Sequence, residues 1–442
     1  MSSGPTDTPP GPMGWPVVGN SLQFFRDPLG YPDQWHREYG DLVGLRIAGR
    51  DGLLVGHPDY VQQVLADHFE RYRKGELYLD ELSFLRGGLL TSEGETWRRQ
   101  RQHLGPMFQP DAVEPFREAM IETAERSVAE IPTDSPIPIE QSMQGLTLEV
   151  IAKTMLGVDL RDRTTSLQEA LEAVMAQARA SSRLPISAPE WLPTPGNRRY
   201  RSALDRFDEL IDDIIEEHRT ADDPPADVVT GLLKRQRLGG GSISDREIRD
   251  QILTFLLAGH DTTALALSYT CELLARHPEV QEQLRAQVAS GEAGPRSEPT
   301  ELLEGTIKEG LRLYPPSYLF LREAIEADAF GDVAVEPGTT IVLHPWLIHR
   351  DDRFYDEPEA FRPDRWTESF EANLHPFAYF PFSGGPRRCI GGHFAMLELE
   401  VVLPILLERL RFEATSQEPP ALKPRITLRP KAGIEVLPTP VS

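Results

Sequence analysis

The sequence predicts a mainly α-helical fold with a small β region, and three observations carry that expectation. Ser244-Asp245-Arg246-Glu247 is a capping box, and no proline follows until Pro278, which leaves room for one helix of about thirty residues. Residues 111–183 place apolar side chains at helical spacing, among them Met120, Ile121, Val128, Met143, Leu146, Val150 and Ile151. Strand-like stretches are short and few, at 42–55, 317–322 and 339–343. No long Gly/Ser-rich linker divides the 442 residues, so a single domain over 1–442 is expected, led by an extended proline-rich segment at 1–16.

Taken in order, residues 42–55 read as a β-hairpin with a glycine-bearing turn at Gly49-Arg50-Asp51-Gly52. Asp59 opens a helix carrying Val61, Val64 and Leu65. Tyr78, Leu82, Phe84 and Leu85 follow in a mixed stretch that fits either a pocket lining or ordinary core. Trp97 and Arg101 lie four apart in W-R-R-Q-R and share one helical face. An indole N–H and a guanidinium on that face can reach one carboxylate, although a solvated arginine face has the same pattern. Pro185, Pro189, Pro193 and Pro195 surround Trp191 and forbid regular structure there. The next helix carries Tyr200, Leu204, Phe207, Ile211 and Ile214 on one stripe, with acidic residues opposite.

The long helix that begins after Ser244 is apolar all round from Ile252 to Gly259, so it is expected to be buried. His260-Asp261-Thr262-Thr263 then place an acid and two hydroxyls inside it. Gly259 weakens the helix, and a threonine can bond back to a carbonyl, so the helix is expected to open and admit water. A polar kink stabilised by its own hydrogen bonds is the alternative. Further on, Glu309 and Arg312 sit three apart on a helix, a pairing common on protein surfaces. His344 and His349 read as structural histidines in or after a strand.

The most unusual chemistry lies in F-S-G-G-P-R-R-C-I-G, Phe382 to Gly391. Cys389 ends a glycine-rich loop and precedes a helix carrying Phe394, Leu397, Leu399, Val401 and Val402 up to Pro404. Unpaired N–H groups at a helix start favour the thiolate, and Arg387 adds positive charge. The glycines permit a tight turn and close approach of a flat ligand. A thiolate held in this way is a good iron ligand, whereas a lone cysteine without such a loop is usually an inert buried thiol.

Composition sets the outer bounds. Two cysteines, Cys271 and Cys389, exclude a disulfide scaffold and fit a reducing cytoplasm. No apolar run is long enough for a transmembrane segment, and the N-terminus has no signal-peptide pattern. Forty-six Lys and Arg against 69 Asp and Glu give a net charge of −23, which repels nucleic acid and anionic membranes. Nearly all the positive charge is arginine, a balance that suits either a halophilic source or an acidic protein from a GC-rich genome.

The pattern F-x-x-G-x-R-x-C-x-G, met by Phe382, Gly385, Arg387, Cys389 and Gly391, resembles the haem-binding loop of the cytochromes P450. Ala258-Gly259-His260-Asp261-Thr262-Thr263 resembles that family's oxygen-activating signature. W-x-x-x-R, E-x-x-R and F-R-P-D-R-W (361–366) occur in the family's order, so the resemblance spans residues 97–391. It implies the P450 fold, with haem b ligated by Cys389 and proton delivery by Asp261 and Thr262. It also puts Trp97, Arg101 and Arg322 near the haem propionates, Ala258 and Gly259 beside the haem, and Arg365 with the Glu309–Arg312 pair in a structural role. Leu82, Phe84, Tyr318, Leu319 and Phe320 would face substrate, and residues 184–197 would form a lid or a plain rigid loop. The expected activity is a monooxygenase that inserts one atom of O2 into a small lipophilic substrate such as a fatty acid, terpenoid or carotenoid. The chain shows no flavin or nicotinamide domain, so electrons are expected from a ferredoxin or flavodoxin with its reductase, and a monomer is expected. A peroxide-using or isomerising haem-thiolate enzyme, or a non-catalytic haem sensor or carrier, is the alternative; the Asp261–Thr262 pair argues against each.

Overall fold

A computed structural model of the chain describes residues 9–82, 85, 87–159, 174, 194–238 and 243–441. Phe84, the proline-rich stretch around Trp191 and the second half of the 111–183 region lie outside the described residues. Nine longer helices among the described residues are labelled here: α1 Gly94–Leu104, α2 Arg117–Ala129, α3 Ile139–Met155, α4 Pro195–Thr220, α5 Val228–Leu238, α6 Asp245–Arg276, α7 Pro278–Ser290, α8 Glu301–Leu313 and α9 Gly392–Arg409. The strands of the two larger sheets are β1 Leu42–Ile47, β2 Arg50–Val55, β3 Tyr72–Lys74, β4 Ile137–Pro138, β5 Phe320–Ala324, β6 Thr340–Leu343, β7 Leu410–Ala414 and β8 Glu435–Pro440. The mainly helical expectation is met. The chain divides into two compact units: one takes the residues up to Leu79 with Glu304–Cys389 and Ala421–Lys431, and the other takes Asp80–Leu303, Ile390–Pro420 and the remainder.

The first unit is built on a five-stranded sheet in the order β1-β2-β6-β5-β3, with β2 and β6 parallel. Its hairpin turn is tighter than the sequence suggested: Ile47 pairs with Arg50, so the turn residues are Ala48 and Gly49. Both have positive φ, 51° and 79°, which gives a two-residue turn whose twist matches that of the strands. One face of the sheet buries Leu53, Val55, Ile341, Leu343, Tyr72 and Phe380. The helix after β2, Pro58–Gln62, widens into a π turn over Gln63–Asp67 that buries Val64 and Leu65.

Below this core lies a buried ion cluster. Glu309 and Arg312 of α8 are both fully buried and form a bidentate pair at 2.8 Å and 2.8 Å. The Glu309 carboxylate also accepts from Arg365 Nε at 3.1 Å, Trp366 Nε1 at 2.9 Å and the Arg362 backbone N–H at 2.9 Å. Arg312 turns its remaining donors to the carbonyls of His349, Pro358 and Ala360. Every lone pair and proton is used, which is what permits charges in a dry interior; removing one partner would cost about 3–5 kcal/mol.

The second unit holds the helices. The Ser244–Glu247 capping box forms as expected, and α6 runs unbroken for 32 residues. The expected opening at Gly259 does not occur, because the threonine hydroxyls bond back to the helix's own carbonyls without displacing them. α3 lies along α6, where Thr147 Oγ1 sits 2.9 Å from the His260 carbonyl. α9 does not stop at Pro404 but continues to Arg409. Burial of Leu403, Ile405, Leu406 and Leu407 around the proline keeps the helix intact despite the missing N–H. The buried Gln281 of α7 gives its amide to the Phe412 carbonyl at 2.9 Å and accepts the Phe412 N–H at 2.7 Å, fixing α7 to the three-stranded sheet β4-β8-β7.

His344 and His349, in the first unit, are fully buried. His344 Nε2 meets the Pro28 carbonyl at 2.9 Å, and His349 Nε2 accepts the Phe380 N–H at 3.0 Å. Burial, with the charge of Arg350 nearby, pulls His344 down to about 4, and burial with Arg312 and Arg350 pulls His349 well below its usual value. An unfolded chain takes up these protons near pH ~6.5 while the folded chain resists. Folding stability therefore falls as pH drops from about 6.5 toward 4, by about 1.4 kcal/mol per pH unit for each such histidine. Thermal unfolding followed across that range should show the loss. His344→Gln, which keeps an N–H for Pro28 but cannot titrate, should flatten the slope.

Candidate active site

The loop from Phe382 to Gly391 is held by its own backbone and by the π turn of the same unit. The Cys389 N–H donates to the Phe382 carbonyl at 2.9 Å, and the Arg388 N–H to the Gly385 carbonyl at 3.0 Å. Gly385 has φ 63°, and a Cβ there would stand 1.8 Å from the Leu65 carbonyl oxygen, so this position admits only glycine. Arg387 Nη1 donates to the Phe69 carbonyl at 2.8 Å, and its guanidinium lies over the Phe69 ring at 5.6 Å. These contacts leave Cys389 at the accessible end of a rigid loop. Cys271, in α6, differs in every respect: it is fully buried, and burial pushes its thiol up to about 12. Of the two cysteines, only Cys389 is open to a ligand.

In the second unit, α6 carries the acid and hydroxyls that the sequence singled out. From Gln251 to Ala275 every residue is buried except Ala258, Gly259 and Thr262, which share one face over a single turn. Thr262 Oγ1 donates to the Ala258 carbonyl at 2.8 Å, so its lone pairs remain able to accept a hydrogen bond. Asp261 is buried, and its Oδ1 accepts from Gln144 Nε2 of α3 at 3.3 Å. His260 is occupied with the Leu256 carbonyl at 2.8 Å. Taken separately, each feature suits a haem-thiolate protein: in the first unit an exposed thiol after a glycine-bearing loop pressed onto the π turn, and in the second a small-residue face on an otherwise buried helix stretch.

The remaining expected residues fall as follows. Trp97 is buried and Arg101 half-buried on α1. Arg322 is buried on β5, with Nη1 donating to the Leu321 carbonyl at 2.9 Å. Tyr318 is buried with Leu29 and Leu428, and its hydroxyl donates to the Arg425 carbonyl at 2.9 Å. Leu319 and Phe320 are half-buried, Phe320 beside Phe380 at 6.3 Å, and Leu82 is buried. Sequence reasoning missed Gln144, because an isolated glutamine on a helix carries no signal, and it gave no role to Trp366. It also missed Asp250 and Gln251, which hold the backbone N–H groups of Gly87 and Leu89 at 3.2 Å and 3.0 Å.

Comparison with known proteins gives the family. The model of the family "Cytochrome P450" matches residues 9–437. Cyclooctatin synthase of Streptomyces melanosporofaciens is 32% identical, covering 97% of this chain and 95% of its own. Pentalenene oxygenase of Streptomyces avermitilis is 30% identical over 96% and 97%. Cyclooctat-9-en-7-ol 5-monooxygenase, also of S. melanosporofaciens, is 30% identical over 92% and 89%. The crystal structure of the cytochrome P450DA heme domain superposes with a TM-score of 0.86 at 25% identity, covering 98% of each chain. On the family match and these relatives, the chain belongs to the cytochrome P450 family of oxidoreductases.

Proposed function

We propose that this chain is a haem-thiolate monooxygenase that inserts one oxygen atom from O2 into a largely hydrocarbon substrate, with electrons from a separate protein. The observation that carries the reading is the one break in the buried stretch Gln251–Ala275 of α6, where Thr262 stands beside the buried acid Asp261. Haem b bound through Cys389 would supply the reduction of O2 and the scission of its O–O bond, which thiolate ligation favours. The protein's own part is to hold protons. Thr262 Oγ1, its hydrogen given to the Ala258 carbonyl, can accept from a water and fix that water's orientation. Asp261, steadied by Gln144, is the neighbouring group that can give and recover a proton. Peroxide-driven or rearrangement chemistry needs no such pair, which is why those readings are disfavoured.

Two relatives are named for cyclooctat-9-en-7-ol and pentalenene, an unsaturated alcohol and an alkene. Together with half-buried apolar Leu319 and Phe320, they favour an unsaturated, hydrocarbon-rich substrate for this chain. The electron donor is proposed to be an acidic ferredoxin or flavodoxin. On α1, Arg98 pairs with Glu95 at 3.2 Å and Arg99 pairs with Glu247, while Arg387 of the cysteine loop is committed to Phe69. Arg388 is exposed, and against a net charge of −23 it is the arginine proposed to steer the donor.

Three outcomes test this reading. Cys389→Ala should abolish the far-red-shifted Soret band of the ferrous–CO form, and Cys271→Ala should leave it intact. Thr262→Ala should consume reductant but release more H2O2 and less product, and Asp261→Asn should slow O2-driven turnover, since positioned proton transfer is worth ~10²–10⁴-fold. Added peroxide should rescue both variants in part; equal losses with O2 and with peroxide would make the pair structural. Arg388→Glu should slow reduction by the partner and weaken its salt dependence, and unchanged stopped-flow rates at low salt would remove this arginine from the docking site.

A further inference from the structure

The segment on which the cysteine loop rests is itself gathered around one carboxylate. Leu65, in the π turn Gln63–Asp67, and Phe69, in the 3-10 turn Phe69–Arg71, supply the two carbonyls that the loop meets. Gly385 is pressed onto the first, and Arg387 Nη1 donates to the second at 2.8 Å. The His68 N–H bonds the Gln63 carbonyl and the Arg71 N–H bonds the His68 carbonyl, both at 2.8 Å. Such local bonds shape the turns, but contacts outside the segment decide where the turns stand. Burial of Val64 and Leu65 holds the apolar side. The polar side is held by the short strand Asp328–Phe330 of the same unit. Asp328 Oδ2 accepts from the Tyr72 hydroxyl at 2.7 Å and from His68 Nδ1 at 2.8 Å. Its Oδ1 accepts from Arg71 Nη1 at 3.2 Å and from the Ala329 N–H at 2.9 Å. Gln63 Nε2 donates to the Ala329 carbonyl at 2.8 Å. A carboxylate only accepts, so the His68 ring carries its hydrogen at Nδ1.

We propose that Asp328 is a positioning residue for Cys389: by gathering His68, Arg71 and Tyr72 it fixes the segment 63–71 on which the cysteine loop rests. The Asp328 side chain is only 4% exposed, while those of His68 and Arg71 are half-exposed, so a buried anchor holds two arms that would otherwise be free in water. Burial disfavours the carboxylate, yet the bonds from His68 and Tyr72 outweigh it and hold the acid below its usual range. The gathering charge is therefore present at neutral pH. From the anchored segment the path crosses to the loop at the Leu65 and Phe69 carbonyls, and within the loop the Cys389 N–H is bonded to the Phe382 carbonyl at 2.9 Å. Groups that orient a ligand's backbone in this way tune the metal site without touching the metal.

The spectral part of the test rests on the haem-thiolate reading, whereas the exchange part does not. In the haem-loaded chain, Asp328→Ala should speed hydrogen–deuterium exchange of the 382–391 amides severalfold relative to those of α9. It should also move part of the ferrous–CO Soret band from its far-red position to that of a haem without a thiolate ligand. Asp328→Asn keeps an acceptor oxygen without the charge and should give a smaller change in the same direction. Asp332→Ala, which removes an exposed acid just after the same strand, should change neither readout. If Asp328→Ala lowers the unfolding temperature but leaves the 382–391 exchange and the band fraction at wild-type values, the residue is merely structural and the proposal is overturned. A rise in exchange by one common factor throughout the chain overturns it equally. Should Asp328→Ala fail to fold, His68→Leu and Arg71→Met take its place, and wild-type exchange of 382–391 in both overturns the proposal. If Cys389→Ala itself keeps the far-red band, the haem reading has failed, and the exchange result alone judges the role of Asp328.

Discussion

The Glu309 carboxylate is the constraint on which the first unit depends. It gathers Arg312 from a helix, together with Arg365, Trp366 and the Arg362 N–H from an irregular segment 53 to 57 residues further along the chain, at contacts of 2.8 to 3.1 Å. A segment of that kind has no ladder of its own to fix it, so the buried charge supplies the order that a strand or helix would otherwise give. Arg312 extends the same order to the carbonyls of His349, Pro358 and Ala360. The aromatic layer above it, Tyr355, Trp366 and Tyr379, then packs against groups that have no freedom to move. An apolar cluster of equal volume could match its stability, but it would not specify which of several loop paths the chain takes.

The second unit solves a related problem inside a helix. Thr262 and Thr263 stand in a helix that is otherwise buried, where polar side chains need partners. Each hydroxyl bonds a carbonyl one turn back, at 2.8 and 3.1 Å, so the helix stays intact and two consecutive carbonyls carry a second donor. That arrangement consumes the hydroxyl hydrogens and leaves the oxygen lone pairs. Thr262 is half-buried and Thr263 buried, so one hydroxyl oxygen stands at a partly accessible position and the other in the interior.

Much of this was legible in the sequence. The capping box at Ser244, the proline-free run to Pro278 and the spacing of the cysteine loop each rest on local geometry, and each produced the element expected. What was not legible depends on contacts between distant residues. The turn at Ala48–Gly49 was displaced because the Leu42↔Val55 register, set by the buried faces of both strands, decides which residues are left over to turn. Pro404 reads as a helix stop, yet apolar burial on both sides outweighs one missing bond. Gln144 has no sequence signature at all, since its only distinction is to lie across from Asp261. The Glu309–Arg312 spacing was visible, but its burial was not; the pair looks the same on paper whether it is solvated or dry.

The two cysteines show why residue identity alone does not determine chemistry. Cys271 and Cys389 are the same side chain, each beside or within a long helix. Inside α6 the backbone N–H groups around Cys271 are already bonded along the helix, and burial pushes the thiol up to about 12. Just before α9 the N–H groups of the first turn have no partners within the helix, and the preceding loop keeps the sulfur at an accessible edge. The loop keeps Cys389 reachable by fixing its backbone to Phe382 and pressing Gly385 onto Leu65. Any side chain at position 385 would drive the loop off the π turn and shift the cysteine with it.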